Sequence, residues 1–280
     1  MADRPEAVFS PGSYAELFAD WARRPDAEPF AGGVEMIRRG GGHSPELPRA
    51  VISLERIEEM RRITRSERYL EIGAMARLSR IIELRKFAPG VLVRCLRGIA
   101  GPALRNMATI GGNACCRLDS AAALTALDAQ YELRGAASSR WVNAARFQPE
   151  SGPGALGPGE ILSRIRVPLD NWDYSAHRKF SDEAPPAAGP SAGRSAVFLA
   201  KAQKGALEDI RIICKSGPRI WRDKDGEMLL IGKRLPLTRR MAASLVARWE
   251  AFLRGAESVD ELSRKELVSF IEANAGQLAE

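Results

Sequence analysis

The stretch LRNMATIGGNACCRLDS, Leu104 to Ser120, constrains this chain more than any other. It sets two adjacent glycines between β-branched residues and an asparagine. A second pair, Gly32-Gly33, sits in AGGVEM. Two readings of such a pair are open. It can be a plain tight turn, or it can be bare backbone whose N–H groups converge on a phosphate without help from a lysine. Neither pair forms G-x-x-x-x-G-K-[ST], nor G-x-G-x-x-G after a strand, which argues against P-loop and Rossmann dinucleotide sites. Both pairs lie among small or β-branched residues rather than the polar residues of a hairpin tip. A pyrophosphate gripped from two sides needs two such loops and little else.

The order of elements bounds the fold around these loops. Ser13-x-x-Glu16 opens SYAELFADWARR as a capping box, with Tyr14, Leu17, Phe18 and Trp21 on one helical face and Pro25 as the stop. RAVISL and RYLEIGAM predict strands. ARLSRIIELRKF and GVLVRCLRGIA predict helices divided by Pro89-Gly90. AAALTALDA predicts a deeply packed helix that Asp119 or Ser120 caps. QYELRG and SSRWVNAARF suggest a strand pair, SGPGALGPGE a loop, and EILSRIRVPL a returning strand. Beyond Pro168 the texture changes. The Pro- and Ala-rich segment from Phe180 to Ser195 reads as a surface loop, AVFLAKAQKGALEDIRIICKSG as a β-hairpin turning near Gly205, and two amphipathic helices close the chain. Strands and helices do not alternate regularly, so the fold class is α+β rather than a doubly wound sheet. The expected domains are residues 1–168, split near residue 55, and residues 169–280.

Composition removes several classes. A net charge of +7 invites a nucleic-acid reading, but the arginines are dispersed and RRGGGHS lacks interleaved aromatics. The basic surface fits an acidic cofactor or partner as well. No apolar run reaches the ~20 residues of a membrane span, and the first residues lack the apolar core of a secretory signal, so a cytoplasmic protein is expected. Four cysteines, Cys95, Cys115, Cys116 and Cys214, form no C-x-x-C, and two histidines leave few ligands for a zinc site. Reduced thiols that serve packing are the expectation for all four.

AGGVEMI, VISLERIEEMRRIT, YLEIGAMARLSRI, LRNMATIGGN and DSAAALTALDAQYEL occur in that order. Together they resemble the FAD-binding (medium) subunit of the molybdenum hydroxylases, the group of xanthine dehydrogenases and aerobic-type carbon monoxide dehydrogenases. The resemblance implies a PCMH-type FAD-binding domain of two subdomains followed by a smaller α+β domain. It implies FAD between the subdomains, with the pyrophosphate on two glycine loops. Carried over by position, the first loop is Ala31, Gly32, Gly33, Val34, Glu35 and Met36, and the second is Thr109, Ile110, Gly111, Gly112 and Asn113. Asp119 falls where the family has an Asp shortly after this loop; placed there it can accept from a ribose or ribityl hydroxyl, and the other reading of Asp119 is a plain helix N-cap. Leu162 falls at an apolar position near the flavin, and Arg178 or Lys179 near a basic one. The resemblance also implies an electron relay between a [2Fe-2S] small subunit and NAD or a quinone, with a molybdopterin-binding large subunit alongside. No side chain is expected to act as an acid or base.

Three departures from the family pattern stand out. Val34 replaces a polar residue after the first glycine pair, the segment from Asn113 to Asp119 is about three residues short, and the loop after Phe180 is unusually rich in Pro and Ala. The first two motivate an alternative, a non-enzymatic assembly or scaffold relative that has lost stable FAD binding. On the cofactor reading, Gly111→Val is expected to block the phosphates while sparing the fold.

Overall fold

The computed structural model describes residues 5–39, 47–147, 155–180, 193–256 and 259–280. Near the N-terminus, β1 (Ala7–Phe9), β2 (Glu28–Phe30) and β3 (Ala50–Ser53) form a parallel sheet in the order β1-β3-β2. The crossover helix α1 (Tyr14–Arg23) starts as its sequence prescribes. Ser13 Oγ accepts from the Glu16 N–H at 3.2 Å, and the Glu16 carboxylate accepts from the Gly12 N–H at 2.7 Å. Two otherwise orphaned donors are thereby satisfied, and Leu17 turns into the core. A short helix, α2 (Val34–Arg39), follows the first glycine pair.

The second unit is an antiparallel sheet in the order β4-β5-β8-β6-β7, with β4 (Ile63–Arg65), β5 (Tyr69–Gly73), β6 (Gln130–Arg134), β7 (Ser139–Asn143) and β8 (Ile161–Pro168). Period-two alternation divides its faces. Leu70, Ile72, Leu133, Ile165 and Val167 are buried in the core. The opposite face carries ion pairs from Arg164 to Glu71 and Glu132 and from Arg166 to Glu71, with Arg166 lying 4.2 Å over the Trp141 ring. Helices α3 (Leu78–Glu83), α4 (Gly90–Arg97), α5 (Pro102–Met107), α6 (Ile110–Cys115), α7 (Ser120–Ala126) and α8 (Ala144–Phe147) complete the unit.

A third sheet, β12-β11-β10-β9, is antiparallel throughout: β9 (Tyr174–Lys179), β10 (Arg194–Gln203), β11 (Ala206–Ser216) and β12 (Arg219–Trp221). Lys204 and Gly205, both at positive φ, make its two-residue hairpin turn. After the short α9 (Lys224–Met228), helices α10 (Arg239–Arg254) and α11 (Glu261–Gln277) are capped by Thr238 and Asp260. Strand β10 is buried on both faces. Val197 and Leu199 join the core of the N-terminal units, and Ala196 and Phe198 join that of α10 and α11. The strand-and-helix mixture is that of an α+β protein. Among the described residues, no helix is long and apolar enough to cross a membrane. The segment 181–192 and most of RRGGGHS lie outside the described residues.

Candidate cofactor site

Strand β2 ends at Phe30, and the chain turns at once through Gly32 and Gly33 into α2. Gly33 adopts φ +69°, the left-handed region that glycine enters at no steric cost, and a Cβ there would lie 2.9 Å from the Phe30 ring. Gly32 has no room for a side chain either, because a Cβ would overlap the carbonyl oxygen of Met107. The first loop thus reaches the approach to the second through contact between bare backbones. The N–H groups of Gly32, Gly33, Val34 and Met36 meet no acceptor among the described residues. Four donors at the start of a helix, where the peptide dipoles add positive potential, suit an anion.

The second pair is built otherwise, and the sequence reading needs correction here. Gly111 and Gly112 do not form a turn of positive φ; they are the first turn of α6, capped by Thr109. Their N–H groups are already used. Ile110 donates to Ala76 O at 3.0 Å, Gly111 to Ala74 O at 2.8 Å, Gly112 to Thr109 Oγ1 at 3.1 Å and Asn113 to Thr109 O at 3.0 Å. From Thr109 to Asn113, only the Thr109 N–H lacks an acceptor among the described residues. Gly111 is small for a packing reason, since a Cβ would lie 2.6 Å from Ala74 Cβ. The expectation that Gly111→Val spares the fold therefore fails. Asn113 directs its Oδ1 to the Ser120 N–H (3.0 Å) and hydroxyl (2.5 Å) and so caps α7 from a distance.

Asp119 precedes α7 but makes no side-chain cap; its carboxylate pairs with Lys179 Nζ at 3.0 Å. The N-cap reading of Asp119 thus gives way to an ion pair with β9. Ala74 ties the parts together. Its N–H donates to Ser163 O at 2.9 Å, at the bulge where β8 shifts register against β6, and its carbonyl receives Gly111. The bulge re-aims the start of β8, and Leu162 faces the same space as the loops.

These elements enclose a cavity of about 870 Å³, a size usual for cofactor sites. Of the thirteen residues read from the sequence, Ala31, Gly32, Gly33, Val34, Glu35, Met36, Thr109, Gly111, Gly112, Asn113, Asp119 and Leu162 line it; Ile110 turns into the core instead. Lys179, Lys215 and Glu160 also line the wall. Lys215 is 1% exposed and donates to the carbonyls of Gly193 and Gly217. Glu160 is held by Arg140 at 2.7 and 3.0 Å, which keeps its carboxyl below the usual range. Sequence reading missed Lys215 and Glu160; a lysine inside the apolar run IICKSG was the available signal. Cys95 and Cys214 are buried and serve packing, but Cys115 is exposed and Cys116 half-buried, and both line the cavity.

Residues 4–170 match the family described as the FAD binding domain in molybdopterin dehydrogenase. The chain belongs to that family. FAD is accordingly the cofactor of this domain, and the cavity fits it: for the phosphates, backbone donors that meet no acceptor among the described residues, a glycine pair that admits no Cβ, and two lysines on the wall. The chain is 30% identical over 169 residues to a xanthine dehydrogenase FAD-binding subunit of Escherichia coli, covering 57% of each. It thus spans little more than half of that relative's length. It is 28% identical over 222 residues to the glyceraldehyde dehydrogenase medium chain of Sulfolobus acidocaldarius, covering 75% of each. A solved structure of Cu,Mo-CO dehydrogenase includes a chain that shares the fold over 99% of both chains, with TM-score 0.78 at 23% identity.

Proposed function

We propose that this chain is the FAD-binding subunit of a molybdenum hydroxylase-type oxidoreductase, relaying electrons between an iron–sulfur partner and NAD or a quinone. The observation that carries the reading is the cavity itself, framed by both glycine pairs and closed by Leu162, Asp119 and Lys179. FAD, when bound, supplies the one- and two-electron chemistry. The chain's own residues bind and orient. The N–H groups of Gly32, Gly33, Val34 and Met36, with that of Thr109, would hold the pyrophosphate. Lys179 balances Asp119 at the wall, so a dianionic ligand does not face a lone carboxylate. Leu162 and Met75, both buried, present an apolar surface that excludes water from the ring system.

The names of similar chains support this reading: xanthine, glyceraldehyde and carbon monoxide dehydrogenase subunits. The given sequence carries no Cys set for an iron–sulfur cluster, and this reading assigns the clusters and the molybdenum centre to partner subunits. Val34 motivates the scaffold reading, yet the donor its position contributes to the cradle is a main-chain N–H, which valine retains. The deciding experiment is a visible spectrum of the purified chain before and after FAD addition and desalting. Retained flavin bands are expected; a chain that stays colourless, alone and with its partner subunits, favours the scaffold reading.

A further inference from the structure

We infer that Arg77, which does not line the cavity, is a positioning residue that sets the gap across which the two loops hold the FAD pyrophosphate. The inference rests on the cofactor reading above. Arg77 is fixed at three points. Its backbone forms an isolated antiparallel bridge with Thr109. One guanidinium arm donates to the carbonyl oxygen of Met107 and the other to the carboxylate of Glu55, just beyond β3. Gly32 completes the contact, because a Cβ on it would lie 3.0 Å from Arg77 Nη1 and overlap the same Met107 carbonyl. One planar fork therefore joins the first subdomain, through Glu55, to the approach of the second loop, at the place where the first loop touches it. A lysine cannot reproduce that geometry, since it offers a point charge rather than a fork.

The same arrangement separates a ligand effect from a stability effect. The side chains of Arg77 and Glu55 are 25% and 44% exposed, and pairs so open to water contribute little to folding. The donors on opposite sides of the gap are the N–H groups of Gly32 and Gly33 and that of Thr109. Their spacing must match a diphosphate, and the Arg77 side chain is bonded on both sides, to Glu55 and to Met107.

The test measures FAD affinity of the full chain by flavin fluorescence, together with thermal unfolding without FAD. Arg77→Met is expected to weaken FAD binding about tenfold or more, as loss of charge-assisted hydrogen bonds implies. Its FAD-free melting temperature should move by no more than about 4 °C. Arg77→Lys should recover part of the affinity. Glu55→Gln should weaken binding in the same direction, and the double variant Glu55→Gln/Arg77→Met should be no worse than Arg77→Met alone, because both remove one coupling. A parent chain that binds FAD and an Arg77→Met chain that binds it equally well overturn the inference alone. A parent that takes up no FAD overturns the inference and the reading beneath it. If Arg77→Met fails to unfold cooperatively, Glu55→Gln decides: unchanged affinity there overturns the inference.

Discussion

The main-chain N–H of Gly111 donates to the carbonyl oxygen of Ala74 at 2.8 Å, and the Ala74 methyl occupies the space where a Gly111 side chain would begin. This contact docks α6 on the end of β5 and makes the second loop a fixed wall rather than a flexible cradle. Gly111→Ala is expected to destabilise the FAD-free chain by about 1–3 kcal/mol, the usual cost of overpacking. Thermal unfolding without FAD checks it. A variant that melts like the parent and loses only its flavin would return Gly111 to a purely ligand-facing role.

Asn113 is 4% exposed, and its Oδ1 serves both the N–H and the hydroxyl of Ser120, which is fully buried. Asn113→Ala orphans two buried donors, with an expected loss of about 1–3 kcal/mol. Ser120→Ala removes only one of the two bonds and should cost less. Urea unfolding of the two variants gives the comparison, and equal midpoints for Asn113→Ala and the parent would refute the capping role.

The sequence carried the helix starts and strands because their signals are local. Ser13 and Glu16 name their own helix, and the alternation in β8 places Arg164 and Arg166 away from the core. It also gathered twelve of the cavity's residues through a resemblance that rests on ordered short motifs. What stayed hidden depends on contacts across the chain. Nothing near Gly111 in sequence reveals Ala74 as its neighbour, so a glycine needed for packing looked like one needed for a ligand. Asp119 looked like a cap because its partner Lys179 lies sixty residues on, in another sheet. Lys215 was passed over because one of its carbonyl partners, Gly193, lies far off in sequence, although the other, Gly217, is only two residues on.

His177, on β9, is held neutral by burial, which pushes its pKa down to about 4; Arg94 and Lys179 add to the effect, and Asp119 opposes it. An unfolded histidine titrates near 6.5. Between those values the unfolded chain binds the extra proton, so stability falls as pH drops from about 6.5 toward 4. From pH 7 to pH 5 the loss attributable to His177 is about 2 kcal/mol. Urea unfolding of the parent and His177→Gln at both pH values isolates this share from that of the carboxylates. Parallel losses in the two proteins would contradict it.

Asp128 clasps the C-terminal sheet to the end of α7. Its carboxylate meets Arg211 at 2.9 Å and Arg222 at 3.2 Å, and Arg211 also donates to Ala126 O at 3.0 Å while lying 4.7 Å over the Trp172 ring. Both guanidiniums are largely buried, with side chains 12% and 14% exposed, whereas Asp128 itself is 37% exposed. Removing the carboxylate leaves Arg211 with Asp209 and Arg222 with Glu227, so neither charge is stranded. The loss is therefore smaller than for a sealed pair, about 1–3 kcal/mol for Asp128→Ala. Alanine is further penalised at φ +50°, a conformation that Asp and Asn tolerate better. Asp128→Asn keeps that backbone preference and one acceptor, so it should lose less. Because Val197 and Leu199 still pack into the N-terminal core, calorimetry should show one transition moved to lower temperature. A second, separate transition would mean that Asp128, rather than the shared apolar core, holds the C-terminal sheet in place.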